Sequence, residues 1–145
     1  MPSGLQHHWK AHYHLPTGMT SVEIPYSIAC ALPSLVVLDI TNDVRHEVEH
    51  GDADYGIAYV TSGGEGLIRV SERESGFFAD LERLLARLVP VEVPDRERLL
   101  EFLLGARTEQ VPFAAGRLCL GRWQRILLFG FGERLSPDWT LTLVG

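Results

Sequence analysis

A glycine-punctuated stretch near the end of the chain, residues 116–133, constrains the fold more than any other part of the sequence. Gly116 and Gly121 enclose a short run of alternating polar and apolar residues, where glycine permits a turn or a close backbone approach. Trp123 follows this run and precedes an apolar segment of strand length, Ile126–Phe131. A buried tryptophan adds a large apolar surface and one N–H donor that needs a partner. The stretch therefore predicts a hairpin that is closed by a buried Trp123.

The composition is that of a single globular domain in an acidic protein. The chain has 145 residues, of which 46% are hydrophobic and 22% are charged, which is enough for a core without disulfides. A net charge of -6 argues against nucleic-acid binding, because phosphate binding needs a basic surface. No apolar run reaches the ~18 residues of a membrane span. The first residues of the chain are polar and do not resemble a secretory signal. Cys30 and Cys119 are the two cysteines, and we expect reduced thiols in a cytoplasmic protein.

The N-terminal segment, residues 1–33, is interpreted as an extension of poorly defined structure. It contains four of the six histidines: His7, His8, His12 and His14. Two structures remain open within it, a strand over Ser21–Ile28 or a short helix over Ile28–Leu32 that ends at Pro33. The histidine spacing would suit a metal site, but a flexible tail explains the segment as well.

The first clear elements are a short apolar strand, Leu35–Leu38, and the helix that follows it. The helix is predicted to run from Thr41, acting as N-cap, to His50, and to stop at Gly51. Its buried stripe consists of apolar residues four apart: Ile40, Val44 and Val48. His46 and His50 lie on another face, and we expect them to be solvent-exposed rather than metal-bound.

Two further strands, Tyr55–Thr61 and Leu67–Ser71, are separated only by a glycine-rich turn at residues 62–66. A turn this short predicts that the two strands pair with each other as an antiparallel hairpin. Such a turn is also able to cradle an anion with its N–H groups, but it lacks the lysine of a phosphate-binding loop. The hairpin is the favoured interpretation.

The second half of the chain combines two helices with more strands. One helix is predicted from a cap at Ser75 to Pro90, and the next opens at Pro94 and ends at Gly105. Their apolar positions are Phe77, Phe78, Leu81, Leu84, Leu85, Leu88 and Val89, then Leu99, Leu100, Phe102, Leu103 and Leu104. The remaining strands are Glu109–Phe113, Ile126–Phe131 and, after a turn at 136–138, Trp139–Val144. The pattern predicts a single α+β domain with mostly antiparallel sheets and about three helices.

Several motifs in this order are similar to those of the YjbQ-type family, often labelled secondary thiamine-phosphate synthase. The most specific is the run Gly116–Gln124, GRLCLGRWQ, because family members carry a near-identical stretch before a strand. The other motifs are Asp39-Ile40-Thr41, Ser71-Glu72, Leu88-Val89-Pro90 and Leu103-Leu104-Gly105. Their order and spacing agree with the family over residues 34–145, and the resemblance implies a YjbQ-like α+β domain that usually assembles as a homotrimer.

The histidines that this resemblance implies are missing from the sequence. Counting back from Glu72 puts Gly63 at the family's first histidine, and Arg98 stands where its last histidine is expected. The loop that carries another is absent after Pro90, and no histidine at all follows His50. Histidines are the natural metal ligands and proton carriers of such a site. Only the acid Glu72 remains as a catalytic candidate.

We therefore expect a catalytically degenerate relative that keeps a cleft for an anion, such as a phosphate-like ligand, or another small molecule. The predicted site residues are Glu72 as catalytic acid and, for binding, Arg98, Arg117, Trp123 and Gln124, with Arg122 as a further cation. No cofactor is expected, the alternative being a divalent metal held by the N-terminal histidines. Two other functions remain open: an active thiamine-phosphate synthase-type or phosphate-ester enzyme with a rebuilt site, and a structural or partner-binding homotrimer without a ligand.

Two strands, Tyr55–Val60 and Ile126–Phe131, are apolar on both alternating faces. A sheet that buries only one of its two faces, in a chain of 145 residues, needs less apolar surface than this. Subunit packing would bury the excess, which agrees with the homotrimer that the resemblance implies.

Overall fold

The computed structural model describes residues 6–11, 28–31, 35–63, 66–131 and 138–145. The strands are β1 (Gln6–Ala11), β2 (Ile28–Ala31), β3 (Leu35–Asp39), β4 (Tyr55–Ser62), β5 (Leu67–Glu72), β6 (Thr108–Ala114), β7 (Arg117–Leu118), β8 (Gln124–Phe131) and β9 (Trp139–Val144). The helices are α1 (Thr41–Glu49), α2 (Ser75–Leu88) and α3 (Arg96–Leu104). No helix in the described part of the chain combines the length and hydropathy needed to cross a bilayer. The predicted α+β class is confirmed, with three helices in the ranges that the structure describes.

The strands form two antiparallel sheets that pack face to face. The first sheet has the order β1-β9-β4-β6-β7, and the second has the order β2-β3-β8-β5. Side chains from both sheets, together with α1, meet in one inner core. Its α1 stripe is the one that the sequence predicts, because Ile40, Val44 and Val48 are each no more than 1% exposed.

An outer core lies between the second sheet and the helices α2 and α3. Alternation along β8 divides its side chains, so that Ile126 and Leu128 enter the inner core while Leu127 and Phe129 enter the outer one. The two apolar faces of β8 are therefore both buried inside this chain. The interpretation that β8 has excess apolar surface for subunit packing is wrong, because α2 and α3 cover its second face.

The helices bury only part of their predicted apolar stripes. Phe78 and Leu85 of α2 and Leu100 of α3 are at most 2% exposed. Exposed large apolar side chains on and between these helices are Phe77, Leu84, Leu88, Val91, Leu99, Phe102 and Leu103. This outward apolar surface, without Phe77, is called the helix face below.

The predicted hairpin between β4 and β5 is wrong, because the two strands belong to different sheets. β4 pairs with β6 and β9, whereas β5 pairs with β8. At the end of β4, the N–H of Ser62 donates to the carbonyl of Arg107 and that of Gly63 to the carbonyl of Asp138. The close connection is thus a crossing from one sheet to the other. Gly64 and Glu65 lie outside the described residues.

Two strands come from the N-terminal segment, with β1 at the edge of the first sheet and β2 at the edge of the second. A helix over Ile28–Leu32 is wrong, since Ile28–Ala31 is extended and pairs with β3. The rest of the alternative strand, residues 21–27, lies outside the described part, as do His12, His14 and residues 136 and 137 of the predicted turn. Cross-strand hydrogen bonds to β3 outweigh the local helical pattern at β2.

Candidate functional site

The end of β5 and the start of β8 lie side by side, which brings two predicted site residues together. Glu72 pairs in register with Gln124, the first residue of β8. A cleft of about 540 Å³ opens beside this pair, next to the start of α1. The residues that line it, called the arginine cleft below, are Asn42, Glu72, Arg73, Glu74, Arg122, Trp123 and Arg125.

A buried carboxylate, Asp39, lies beneath the arginine cleft. It is 0% exposed and ends β3. Its Oδ1 atom accepts hydrogen bonds from the Thr41 backbone N–H at 3.0 Å and from the Thr41 hydroxyl at 2.6 Å. Its Oδ2 atom accepts from Nε of Arg125 at 2.7 Å and from Nη1 of Arg73 at 3.3 Å. A buried charge of this kind is tolerated because it is paired and hydrogen-bonded.

The start of α1 differs from the prediction in a way that involves the same carboxylate. Ile40 is the N-cap and makes no side-chain cap, while Thr41 is already helical, so the predicted N-cap at Thr41 is wrong. The hydroxyl of Thr41 accepts the N–H of Ile126 at 2.8 Å while it donates to Asp39. The side chain of Asp39 instead accepts a hydrogen bond at the first turn of α1. The donor is the backbone N–H of Thr41, two residues further along the chain. α1, β3 and β8 are thereby joined below the arginine cleft.

Two arginines of the arginine cleft are positioned by Asp39 and still reach solvent. The Arg125 side chain is 22% exposed, and that of Arg73 is 43% exposed. Nη2 of Arg125 also lies 3.4 Å from the side-chain oxygen of Asn42. A guanidinium has five N–H donors, so these contacts leave donors of Arg125 for a ligand in the cleft.

Trp123 is exposed, so the predicted hairpin closed by a buried Trp123 is wrong. Its exposed fraction is 65%, and the guanidinium carbon of Arg122 lies 4.8 Å from its ring centroid. Gln124 closes the preceding turn on both sides, since its N–H donates to Gly121 O at 3.0 Å and its Oε1 accepts the Gly121 N–H at 2.7 Å. This turn directs Trp123 outward at the rim of the cleft. Among the described tryptophan side chains, Trp139 is the buried one, at 1% exposure.

The structure separates the other predicted binding residues from the arginine cleft. Arg98 is exposed on α3 and Arg117 is exposed on β7, and neither lines the cleft. Glu72 and Trp123 line the cleft. Gln124 follows Trp123 in the chain and accepts a hydrogen bond from the N–H of Gly121 in the turn beside the cleft. The binding roles of Arg98 and Arg117 stay predictions.

Sequence reasoning missed most of the arginine cleft. Asn42, Arg73, Glu74 and Arg125 are strand-end or helix-start residues that carry no local motif. Asp39 stands in the Asp39-Ile40-Thr41 motif, but its burial was not predictable, because an aspartate is almost never fully buried unless it is paired. Its two arginine partners are not recognisable from the sequence, since they lie 34 and 86 positions away.

Candidate metal ligands are not clustered in the described ranges. Among those residues, no group of three or more His, Cys, Asp or Glu side chains is arranged to hold a metal ion. His46 and His50 are exposed, as the sequence predicts, and their rings lie 4.1 Å apart by centroid. His7 and His8 belong to β1, at the edge of the first sheet opposite β7. α1 packs near β7, which is at the other edge of that sheet from β1.

Comparison with known proteins gives a family and a fold. The family described as UPF0047 protein YjbQ-like matches residues 32–145. A YbjQ-like protein of unknown function from Sulfolobus solfataricus is similar with a TM-score of 0.70 and 20% identity, over 98% of this chain and 97% of that one. An uncharacterized conserved protein of the yjbq/upf0047 family from Clostridium acetobutylicum has a TM-score of 0.65 and 17% identity, over 95% and 98%.

A third similar structure is a conserved hypothetical protein from Thermus thermophilus. It has a TM-score of 0.61 and 24% identity, over 78% of this chain and 94% of that one. A search of curated proteins found no match. At these identities the solved structures support the fold, while the family match rests on the sequence itself.

Proposed function

Since this chain belongs to the YjbQ-like family, we propose that it is a binding protein of that fold, whose arginine cleft takes a small molecule with an oxyanion and a planar group. The observation that carries the proposal is the presence of three arginines and an exposed tryptophan around one cleft. In this proposal the family's reaction is lost together with its histidines.

The oxyanion half of the proposal rests on Arg73, Arg122 and Arg125. Arg125 is fixed through Nε by Asp39 and borders Asn42, so part of its donor fork is oriented before any ligand arrives. Charge-assisted hydrogen bonds to phosphate or carboxylate are about twice as strong as neutral ones, and a guanidinium binds such groups with two parallel bonds. Fixing the guanidinium beforehand lowers the entropic cost of binding.

The planar half rests on Trp123. An exposed indole at a cleft rim offers a face on which a flat ring can stack, and the nearby Arg122 restrains one side of it. Glu72 and Glu74 add negative charge to the same cleft. They disfavour a large polyanion, so a single oxyanion attached to a ring fits the arrangement better.

Loss of catalysis is supported by what the arginine cleft offers chemically. General acid–base or metal-assisted chemistry needs groups that carry protons or hold a cation. The acids that line the arginine cleft are Glu72 and Glu74, and both are exposed. No histidine follows His50 in the sequence. These two carboxylates stand among arginines without a third metal-ligating side chain in the described part of the chain.

Titration calorimetry with phenyl phosphate, inorganic phosphate and phenol tests the proposal. We expect phenyl phosphate to bind tightest, inorganic phosphate more weakly, and phenol weakest. Arg122→Ala should lower the affinity for phenyl phosphate about tenfold. Trp123→Ala should make phenyl phosphate bind no more tightly than inorganic phosphate. Arg87→Ala is the matched control, because Arg87 is also an exposed arginine but lies outside the cleft. Absence of binding, or equal losses in Arg122→Ala and Arg87→Ala, would overturn the proposal.

An active enzyme of the thiamine-phosphate synthase type is the alternative within the family. Glu72 lies in the arginine cleft and would be its acid, with metal ligands supplied by the N-terminal histidines of a neighbouring copy. Stoichiometric zinc or manganese in the purified protein, lost when His7, His8, His12 and His14 become alanine, would favour this alternative. Complementation of a strain without thiamine-phosphate synthase, abolished by Glu72→Gln, would establish it.

The same proposal includes assembly as a homotrimer in the cytoplasm. The helix face supports self-association, because α2, α3 and the segment between them leave its six large apolar side chains exposed. Cys119 is exposed and not in a disulfide, which is usual in a reducing compartment. Light scattering tests the assembly, and cell fractionation tests the location.

A further inference from the structure

A second cavity lies on the outer side of the second sheet, beside its edge strand β5. Its volume is about 320 Å³, and its walls come from β5, the end of β8, the first half of α2 and the end of α3. Its apolar lining includes Leu67, Phe77, Leu81, Leu104, Phe129 and Phe131. Small-molecule pockets occupy roughly 300–1,000 Å³ and are mostly apolar, so the size and lining fit a small ligand.

Two consecutive phenylalanines of α2 show that this cavity adjoins a filled core. Phe78 is fully buried and meets Phe129 edge to face, with ring centroids 5.8 Å apart. Phe77 lines the cavity and remains 47% exposed. Successive residues of a helix point in different directions, so one ring completes the core and the other is left for an occupant of the cavity.

One charged side chain, Arg69, borders the cavity. It shares a face of β5 with Leu67 and Ser71, because alternate residues of a strand point the same way. Its Nη2 atom donates to the carbonyl oxygen of Leu104, which ties the guanidinium to the end of α3. None of the described residues that line the cavity is acidic. The local charge therefore favours a ligand with an anionic group.

We propose that this cavity binds a small monocarboxylic acid, with its carboxylate on Arg69 and its apolar tail against Phe77 and Phe129. The guanidinium of Arg69 gives one hydrogen bond to Leu104 and has further N–H donors for the carboxylate. No lining residue is shared with the arginine cleft. The two cavities are therefore distinct sites.

Octanoate is the probe, with acetate and octan-1-ol as matched compounds that lack the tail or the charge. Calorimetry should show saturable octanoate binding, about tenfold tighter than octan-1-ol because of the charge-assisted pair. Acetate should not bind over the same concentration range. No octanoate binding, or equal affinity for octanoate and octan-1-ol, would overturn the proposal.

Variants locate the site. Arg69→Met should lower octanoate affinity about tenfold, and Arg69→Lys should restore part of it. Arg87→Met, on the exposed side of α2, is the control and should leave the affinity unchanged. Leu81→Trp should narrow the cavity and lower the affinity for octanoate, while the affinity for phenyl phosphate should stay unchanged. Unchanged octanoate affinity in Arg69→Met and Leu81→Trp would place the binding elsewhere and refute the assignment.

Discussion

Arg125 donates through Nε to the carboxylate of Asp39 at 2.7 Å, although the two residues are 86 positions apart. The side chain of Asp39 is completely buried, whereas that of Arg125 is 22% exposed. The pair joins the end of β3 to the start of β8 and keeps the guanidinium of Arg125 at the arginine cleft. The fold and the candidate site therefore depend on the same buried carboxylate.

Replacement of Asp39 by asparagine removes the charge and nearly conserves the volume. We expect Asp39→Asn to lower the free energy of unfolding by about 2–3 kcal/mol, because Arg73 and Arg125 lose a charge-assisted partner. Both arginines are partly exposed and able to turn to water, which keeps the loss below that of a fully buried pair. Urea unfolding followed by circular dichroism measures the change.

Asp54→Asn is the matched control for this substitution, because Asp54 lies exposed in the loop before β4. Its unfolding free energy should stay within about 0.5 kcal/mol of the wild-type value. Equal stability of Asp39→Asn and Asp54→Asn would contradict the structural role of Asp39. Phenyl phosphate should also bind Asp39→Asn more weakly, since Arg125 is no longer held in place.

The two described tryptophan side chains should respond oppositely to truncation. Trp139 is 1% exposed in the inner core, so Trp139→Ala should cost about 3–5 kcal/mol of unfolding free energy. Trp123 is 65% exposed, so Trp123→Ala should change it by less than about 0.5 kcal/mol. Denaturant midpoints of the two variants measure the difference. A large loss in Trp123→Ala would restore the idea of a tryptophan that closes the hairpin.

Sequence periodicity predicted the elements well and their partners less well. The spacing of Ile40, Val44 and Val48 was enough to find the buried face of α1, because that pattern is local. The short connection between β4 and β5 was misleading, since pairing is decided by burial over the whole sheet. Each strand pairs instead with a neighbour in its own sheet, β4 with β9 and β5 with β8.

The candidate site was predictable only where a motif carried it. Glu72 and Trp123 stand in recognisable motifs, and both line the arginine cleft. Arg73 and Arg125 look like any strand-end arginine in the sequence, just as the exposed Arg117 does, because only the buried position of Asp39 distinguishes them. Long-range ion pairs of this kind become visible only once the strands are in register.

Gly56 should be sensitive to any side chain. A Cβ atom at this position would overlap the carbonyl oxygen of Val144 on β9. We expect Gly56→Ala to lower the free energy of unfolding by roughly 3 kcal/mol, because the backbone of β4 and β9 must separate. Gly105→Ala is the comparison, since its φ of +52° is strained but nothing lies within 4 Å. It should cost about 1 kcal/mol, and equal losses would argue against the close approach.

The helix face should govern self-association. Leu88 and Phe102 are 58% and 83% exposed, so a glutamate at either position should leave the unfolding free energy of the monomer almost unchanged. In the proposed homotrimer, the same charge would be buried against a neighbour, which is strongly unfavourable. We expect Leu88→Glu and Phe102→Glu to shift the protein towards monomer in light scattering.

Tyr55→Glu separates this effect from a general response to added charge. Tyr55 is 72% exposed but belongs to β4 of the first sheet, away from α2 and α3. Its variant should therefore keep the wild-type mass. A wild-type protein that is already a monomer would refute the homotrimer. Trimers that persist in Leu88→Glu and Phe102→Glu but dissociate in Tyr55→Glu would instead assign the interface to the first sheet, because burial of charge is costly only where subunits meet.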